Sequence, residues 1–207
     1  MDCRHAALVL LLVVVSHSRA ASLGRAGEEA PYTLVETGPG WEVRRYPATT
    51  WITTDPVRSV LPHSGPEREA ALAKLHRYIA GANMAGMEVA AVAPLCQRIL
   101  PGAAPASPSN SSLAFPLPAE LQAGPPDPTE LGLLLAVWPE HMLVARQFSG
   151  QAGELDWAVE LTELYRLARA RGLAVTPVPQ YTAEYSESDV TPGRRNEVWL
   201  EVTASNL

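Results

Sequence analysis

The chain has 207 residues, of which 47% are hydrophobic and 18% are charged, with 19 prolines and 14 glycines. This length and apolar content predict one globular domain with an adequate core. The formal net charge is −6 and no block of Lys and Arg occurs, so the sequence lacks the basic footprint of a nucleic-acid-binding protein, and we expect no nucleic-acid partner.

A targeting signal is indicated at the N-terminus. Arg4 and His5 precede an unbroken apolar run over 6–15, and small residues follow at 18–20. The run is shorter than the ~20 residues that a membrane-spanning helix needs. We therefore predict a cleaved signal peptide over 1–20, with a short signal anchor as the alternative.

The predicted signal peptide implies a secreted, extracellular protein with no integral membrane segment after cleavage. We expect a flexible segment over 21–30 and one folded domain over 31–207. Asn110 begins an Asn-Ser-Ser sequon in a loop-like stretch, which predicts glycosylation there. Cys96 is the one cysteine after cleavage, so it is either buried and inert or paired with another chain.

The first half of the domain reads as short strands, one helix and a further strand. Alternating and β-branched residues predict strands at 32–35, 41–46, 51–54 and 87–94. Between the strands predicted at 51–54 and 87–94, Ser64 and Glu67 have the spacing of a capping box. The apolar stripe that follows predicts a helix ending before Gly81.

The second half repeats this order of elements. A strand at 112–118 contains prolines, which favour an edge position or a short strand. Two strands at 131–138 and 141–148 form a predicted hairpin. An amphipathic helix follows at 153–171, before Gly172, and the two final strands are predicted at 175–185 and 195–202. The pattern predicts an α+β fold with two helices on a curved antiparallel sheet or open barrel.

Five motifs occur in an order that resembles the SOUL/heme-binding protein family. They are Glu-Val-Arg-Arg-Tyr at 42–46, the helix end at 74–83, Val-Ala-Pro at 92–94, Tyr-Thr-Ala-Glu-Tyr at 181–185 and Asn-Glu-Val-Trp-Leu at 196–200. The resemblance covers about 32–202. It implies a distorted antiparallel β-barrel flanked by two helices and built from two pseudo-repeats.

The resemblance also implies binding of heme or a related tetrapyrrole in a shallow apolar groove beside the first helix. A flat macrocycle needs apolar walls, and its carboxylates need cations at the rim. At the matching positions, Leu72, Leu75 and Ile79 are candidate walls. Lys74 and Arg77 are candidate rim cations. His76 is a candidate iron ligand, and the alternative is a boundary histidine with no ligand.

Other residues receive simpler interpretations. His63, His141 and Glu184 are expected to be solvated surface residues, while Met84 and Met87 are expected to belong to the core. No catalytic motif or Cys/His cluster is recognisable, so we expect no enzyme. The alternative function is an extracellular protein-interaction scaffold that has lost its ligand and binds an unknown partner.

Overall fold

The computed structural model describes residues 28–104, 107–185 and 194–203. The predicted signal peptide and most of the predicted flexible segment lie outside these ranges. The described elements, in chain order, are β1 (Thr33–Gly38), β2 (Trp41–Tyr46), β3 (Thr49–Thr54), β4 (Val57–Ser59), α1 (Pro66–Ile79), β5 (Leu95–Leu100), β6 (Ser109–Pro116), a 3₁₀ helix (Ala119–Leu121), β7 (Leu133–Trp138), β8 (His141–Ser149), α2 (Glu154–Arg171), β9 (Val175–Glu184) and β10 (Arg195–Val202).

All ten described strands join one antiparallel sheet in the order β1-β2-β8-β10-β9-β5-β6-β3-β7, with β4 paired to the start of β6. Within the described ranges the terminal strands β1 and β7 do not pair with each other, so the sheet is open. The predicted α+β class with two helices is confirmed. The barrel is not confirmed, because closure requires the two edges to be hydrogen-bonded.

Each helix covers its own part of one face of the sheet. The buried stripe of α1 packs on β3 and β6, and that of α2 packs on β8, β9 and β10. The opposite face, which we call the concave face, is filled by aromatic and small side chains around Trp51, Tyr181 and Trp199. Both faces are therefore buried, so the strands do not show a simple alternation of apolar and polar residues.

The predicted strand over 87–94 is wrong. Val89 donates its amide hydrogen to the carbonyl of Ile79 at 2.9 Å, and Val89 and Ala91 pack in the core beneath α1. Ala93 bonds instead with residues 28–30, which therefore lie against the domain. The alternating apolar residues cover the end of α1 rather than joining the sheet, and the missed strand β5 begins after them.

Helix α1 starts differently from the predicted capping pattern, although both helices end as predicted. Gly65 occupies the N-cap of α1 without a side-chain cap, so the capping box of Ser64 is wrong. The Ser64 hydroxyl donates instead to Glu154 at the start of α2, at 2.9 Å. Gly81 and Gly172 follow the two helices with φ values of 107° and 84°, which an L side chain rarely adopts.

Strand β6 lies inside the sheet, between β5 on one side and β3 and β4 on the other. The predicted edge position is wrong because Pro116 stands at the last residue of the strand, where a missing amide hydrogen removes little of the ladder. Asn110 is exposed, but it lies in β6 rather than in a loop.

In the described ranges, no helix has the length and apolar content to cross a membrane.

Candidate functional site

The inner face of α1 is part of the core. Leu75 and Ile79 are buried among residues of β3, β6 and β7, whereas Leu72 is only partly buried at the edge of this cluster. Two of the three candidate walls therefore stabilise the packing of α1, and Leu72 alone among them has exposed surface.

The other three candidates lie outside this buried stripe of α1. The ring of His76 stacks on Phe115 with a centroid distance of 6.1 Å and an interplanar angle of 20°, and its Nε2 atom is buried. Lys74 Nζ donates to the Leu131 carbonyl at 2.9 Å. Arg77 donates to both carboxylate oxygens of Glu130, at 2.9 and 2.6 Å. The hydrogen bond from Arg77 lowers the pKa of Glu130.

The loop after α1 is organised by one buried side chain. Asn83 donates to the carbonyls of Tyr78 and Met87, at 3.2 and 2.8 Å, and accepts from the Met87 amide at 3.2 Å. These bonds fold the chain tightly, so that Met84 and Met87 point outward and Met84 is 73% exposed. The expectation that both methionines belong to the core is therefore wrong.

A second loop runs beside this one and is fastened to α1. The Tyr78 hydroxyl donates to the Pro126 carbonyl at 2.8 Å, and the Met84 amide donates to the Asp127 carbonyl at 2.8 Å. With Lys74 and Arg77, these bonds hold the loop in place, and they leave Leu131 90% exposed. We define the α1 surface as the residues Leu72, Lys74, His76, Arg77, Met84, Met87 and Leu131.

The α1 surface combines exposed apolar side chains with two cations, which suits a flat apolar ligand that carries carboxylates. It fits heme as a ligand held by apolar contact and by Lys74 or Arg77. It offers less for the iron, because the Nε2 atom of His76 is buried. The sequence analysis did not place Met84, Met87 and Leu131 at a binding surface, because apolar residues are assigned to the core by default.

The concave face contains a buried carboxylate. Glu197 accepts hydrogen bonds from both terminal nitrogens of Arg44, and from the side chains of Tyr185 and Trp199 at 2.8 Å each. Burial alone raises the pKa of Glu197, but these donors and the charge of Arg44 outweigh it and hold the pKa below its ordinary value. This cluster is satisfied internally, so it holds the sheet together and does not present an open site.

Residues expected on the surface join the two helix-bearing halves. His63 stacks on Trp157 of α2 with a centroid distance of 5.2 Å, and burial, with the charge of Arg68, lowers its pKa to about 4. Glu184 pairs with Arg68 and with Arg194. Neither His63 nor Glu184 is a solvated residue, so both expectations are wrong.

The thiol of Cys96 is fully buried, and burial raises its pKa, which confirms that this cysteine is buried. Two adjoining grooves with volumes of about 430 and 390 Å³ lie beside Val60, at the opposite end of α1 from Arg77. Their walls are mainly small, proline and backbone groups. The described residues contain no group of three or more His, Cys, Asp or Glu side chains arranged to hold a metal ion.

Comparison with known proteins agrees with this fold. The family model described as SOUL heme-binding protein matches residues 27–201. Human heme-binding protein 2 is 30% identical over 188 residues, an alignment that covers 84% of this chain and 90% of the relative. Mouse heme-binding protein 1 is 27% identical over 153 residues, covering 74% of this chain and 77% of the relative.

Solved structures with much lower identity share the fold. The C-terminal domain of EcmrR has a TM-score of 0.58 at 11% identity and covers 83% of this chain and 98% of that chain. A hydrolase from Listeria innocua has a TM-score of 0.56 at 14% identity, with 79% of this chain and 91% of that chain covered. At these identities the likeness concerns the fold alone.

Proposed function

Because the chain belongs to the SOUL heme-binding protein family, we propose that it binds heme or a related tetrapyrrole, and that the ligand lies on the α1 surface. The observation that carries the location is the outward position of Met84, Met87 and Leu131 beside two cations. Contiguous exposed apolar side chains with a polar rim are typical of binding sites.

The chemistry of this site is recognition rather than reaction. The thioethers of Met84 and Met87 adapt to a flat aromatic face, and Leu131 extends the apolar area. Arg77 is exposed and its pair with Glu130 lies in solvent, where an ion pair contributes little to stability. A ligand carboxylate can therefore replace Glu130 at low cost. The bound group would supply its iron, while the protein supplies apolar contact and cations.

The sequence candidates take different parts in this proposal. Leu72 and His76 border the macrocycle, and Lys74 and Arg77 meet its carboxylates. Leu75 and Ile79 act indirectly, since they fix α1 on the sheet. Ligation of iron by His76 requires its ring to turn away from Phe115 and expose Nε2.

A hemin titration of the purified chain, followed by visible absorption, tests this proposal. We expect saturable binding that is weakened severalfold in Leu131→Ser and in Arg77→Gln. The matched controls lie on α2: Leu155 is 75% exposed, and Arg166 makes a similar exposed bidentate pair with Glu163. Leu155→Ser and Arg166→Gln should bind hemin as the wild type does.

The proposal extends to the cell biology of the chain. We infer a secreted glycoprotein from the apolar run that predicts a cleaved signal peptide over 1–20 and from the exposed sequon residue Asn110. Expression in a secretory cell line, with Asn110→Gln as control, tests this. We expect the culture medium to contain a protein that begins near residue 21. Glycosidase treatment should lower its mass only when Asn110 is present.

An interaction scaffold without a ligand is the second candidate. It is favoured by the fact that Lys74 and Arg77 already bind the loop containing Glu130 and Leu131. A hemin titration with no saturable spectral change would sink the tetrapyrrole proposal and leave this function in its place.

A further inference from the structure

Within the described ranges the sheet ends in β1 and β7, and these two strands differ in how they are protected against further pairing. Natural sheets block an open edge with bulges, charges or prolines. Strand β1 has a register shift between Leu34 and Glu36, and Glu36 is charged. Strand β7 pairs with β3 without a shift, and its sequence contains neither a charge nor a proline. The β7 edge therefore lacks these devices.

The backbone groups that β7 directs to its open edge belong to alternate residues. Directly before β7, the Gly132 carbonyl accepts the amide hydrogen of Asp55 at 2.9 Å, in continuation of the register between β3 and β7. Hydrogen-bonded pairs alternate with non-hydrogen-bonded pairs in an antiparallel ladder, so the even-numbered residues of β7 bond toward β3. The odd-numbered residues direct their amide and carbonyl groups to the open edge; they are Leu133, Leu135 and Val137.

The side chains of β7 leave apolar surface on both faces of this edge. Leu134 lies opposite Thr53, on the concave face, and is 42% exposed. Leu135 lies opposite Ile52 and packs in the cluster beneath α1, so Val137, two residues further, lies on the helix-bearing face. Val137 is 68% exposed. A strand that pairs with β7 would therefore gain apolar contacts on both faces of the sheet.

A second copy of β7 fits this edge. In an antiparallel pair centred on Leu135, each outward-directed residue meets another one: Leu133 lies opposite Val137 of the second copy, and Leu135 lies opposite its own counterpart. On the concave face, Leu134 then lies opposite the small side chain of Ala136. One register thus pairs the exposed backbone groups and covers the exposed apolar side chains.

Charge also favours a second copy at this edge. The formal net charge of −6 opposes contact between acidic surfaces of two copies, but β7 is uncharged. In the same register, Glu140 of the second copy lies opposite position 130. Lys74 and Arg77 lie at this end of the strand, where they bond to the Leu131 carbonyl and to the Glu130 carboxylate. Two cations beside one carboxylate complement Glu140, and two-fold symmetry repeats the arrangement at the other end.

We propose that the chain forms a two-fold symmetric dimer, in which the β7 strands of two copies pair antiparallel about Leu135 and join the two sheets into one. The pairing uses the β7 edge of both copies, and the bulged edge β1 does not extend the sheet further, so the assembly stops at the dimer. The inference does not rest on the proposed function.

Sedimentation velocity of the purified chain over a range of concentrations tests the dimer. The wild type should change from monomer to dimer as the concentration rises. Val137→Lys places a charge at the pairing edge and should raise the dimer dissociation constant at least about tenfold. The matched control is Val159→Lys, because this valine is 54% exposed on α2. It should dimerise as the wild type does, and circular dichroism should show that both variants are folded.

Cross-linking tests the register. The double variant Leu134→Cys/Ala136→Cys should form disulfide-linked dimers on mild oxidation, because these two positions lie opposite each other across the two-fold axis. Leu134→Cys alone should not cross-link, and Cys96 is fully buried and should not contribute.

The outcomes decide between the dimer and its alternatives. A wild type that stays monomeric at every concentration overturns the proposal, and so does equal dimerisation of Val137→Lys and the wild type. Assemblies larger than a dimer, or cross-linking of Leu134→Cys alone, overturn the closed pairing about Leu135.

Discussion

Arg44 and Glu197 form a bidentate ion pair inside the sheet, with nitrogen–oxygen distances of 2.7 and 3.0 Å. The two residues are 153 positions apart, on β2 and β10, and β8 lies between these strands. Both side chains are almost completely buried. The pair therefore connects the beginning and the end of the domain across an intervening strand, on the concave face.

Glu197→Gln should destabilise the domain strongly. The change leaves the Arg44 charge buried without its counter-ion, and loss of one partner of a buried pair costs about 3–5 kcal/mol in the free energy of unfolding. Urea denaturation followed by tryptophan fluorescence measures this. Glu163→Gln, which removes an exposed pair, should cost less than about 1 kcal/mol. Equal losses for the two variants would contradict a structural role for the buried pair.

Acid should weaken the domain through the same carboxylate. The pKa of Glu197 is lower in the folded chain than its ordinary value of 4.5. Its contribution to stability is therefore complete above about pH 4.5 and is lost as the pH falls through the folded pKa. Unfolding free energies measured from pH 6 to pH 3 should fall more steeply below pH 4.5 in the wild type than in Glu197→Gln. Parallel curves would argue against this linkage.

His63 should add a separate pH dependence at higher pH. Its folded pKa is about 4 and its ordinary value is 6.5. The native ring stays neutral while the unfolded chain takes up a proton, so stability is constant above pH 6.5 and decreases between pH 6.5 and about 4. The whole change is on the order of 3 kcal/mol.

His63→Phe keeps a ring against Trp157 and removes the titrating group. Its unfolding free energy between pH 7 and pH 5 should therefore vary less than that of the wild type. The range stops above pH 4.5, so Glu197 does not contribute. If the two proteins lose stability equally over this range, His63 is not the group responsible.

Glu130→Gln should strengthen hemin binding at the α1 surface. The carboxylate of Glu130 accepts hydrogen bonds from the guanidinium of Arg77, so it competes with a ligand carboxylate for the same donors. Removing its charge should lower the hemin dissociation constant severalfold at low salt, and the effect should shrink as salt screens the charges. Glu163→Gln removes the same charge on α2 and should have no such effect. A weaker hemin affinity in Glu130→Gln would show that the fixed loop, and not the freed arginine, matters for binding.

Local patterns in the sequence predicted the elements whose structure depends on neighbouring residues. Strands β2, β7 and β8 and both helix ends follow from alternation, helical spacing and the positions of Gly81 and Gly172. The predicted hairpin pairing of β7 with β8 is wrong, because β7 pairs with β3 and β8 pairs with β2 and β10. The failed strand prediction at 87–94 has a physical cause. The 87–94 segment alternates like a strand, but its apolar residues are buried beneath α1. An alternating pattern predicts that the apolar side chains are buried, but it does not predict which element they pack against.

The sequence by itself determined the family, the α+β class and the candidate helix α1, because these depend on motif order and on periodicity along the chain. The tertiary structure alone decided that Met84 and Leu131 face outward and that Arg77 is held by Glu130. The bonds that Lys74 and Arg77 make with Leu131 and Glu130 join segments that are 57 and 53 positions apart in the chain. Such contacts are set by how the helices and loops pack on the sheet, so residue spacing does not encode them.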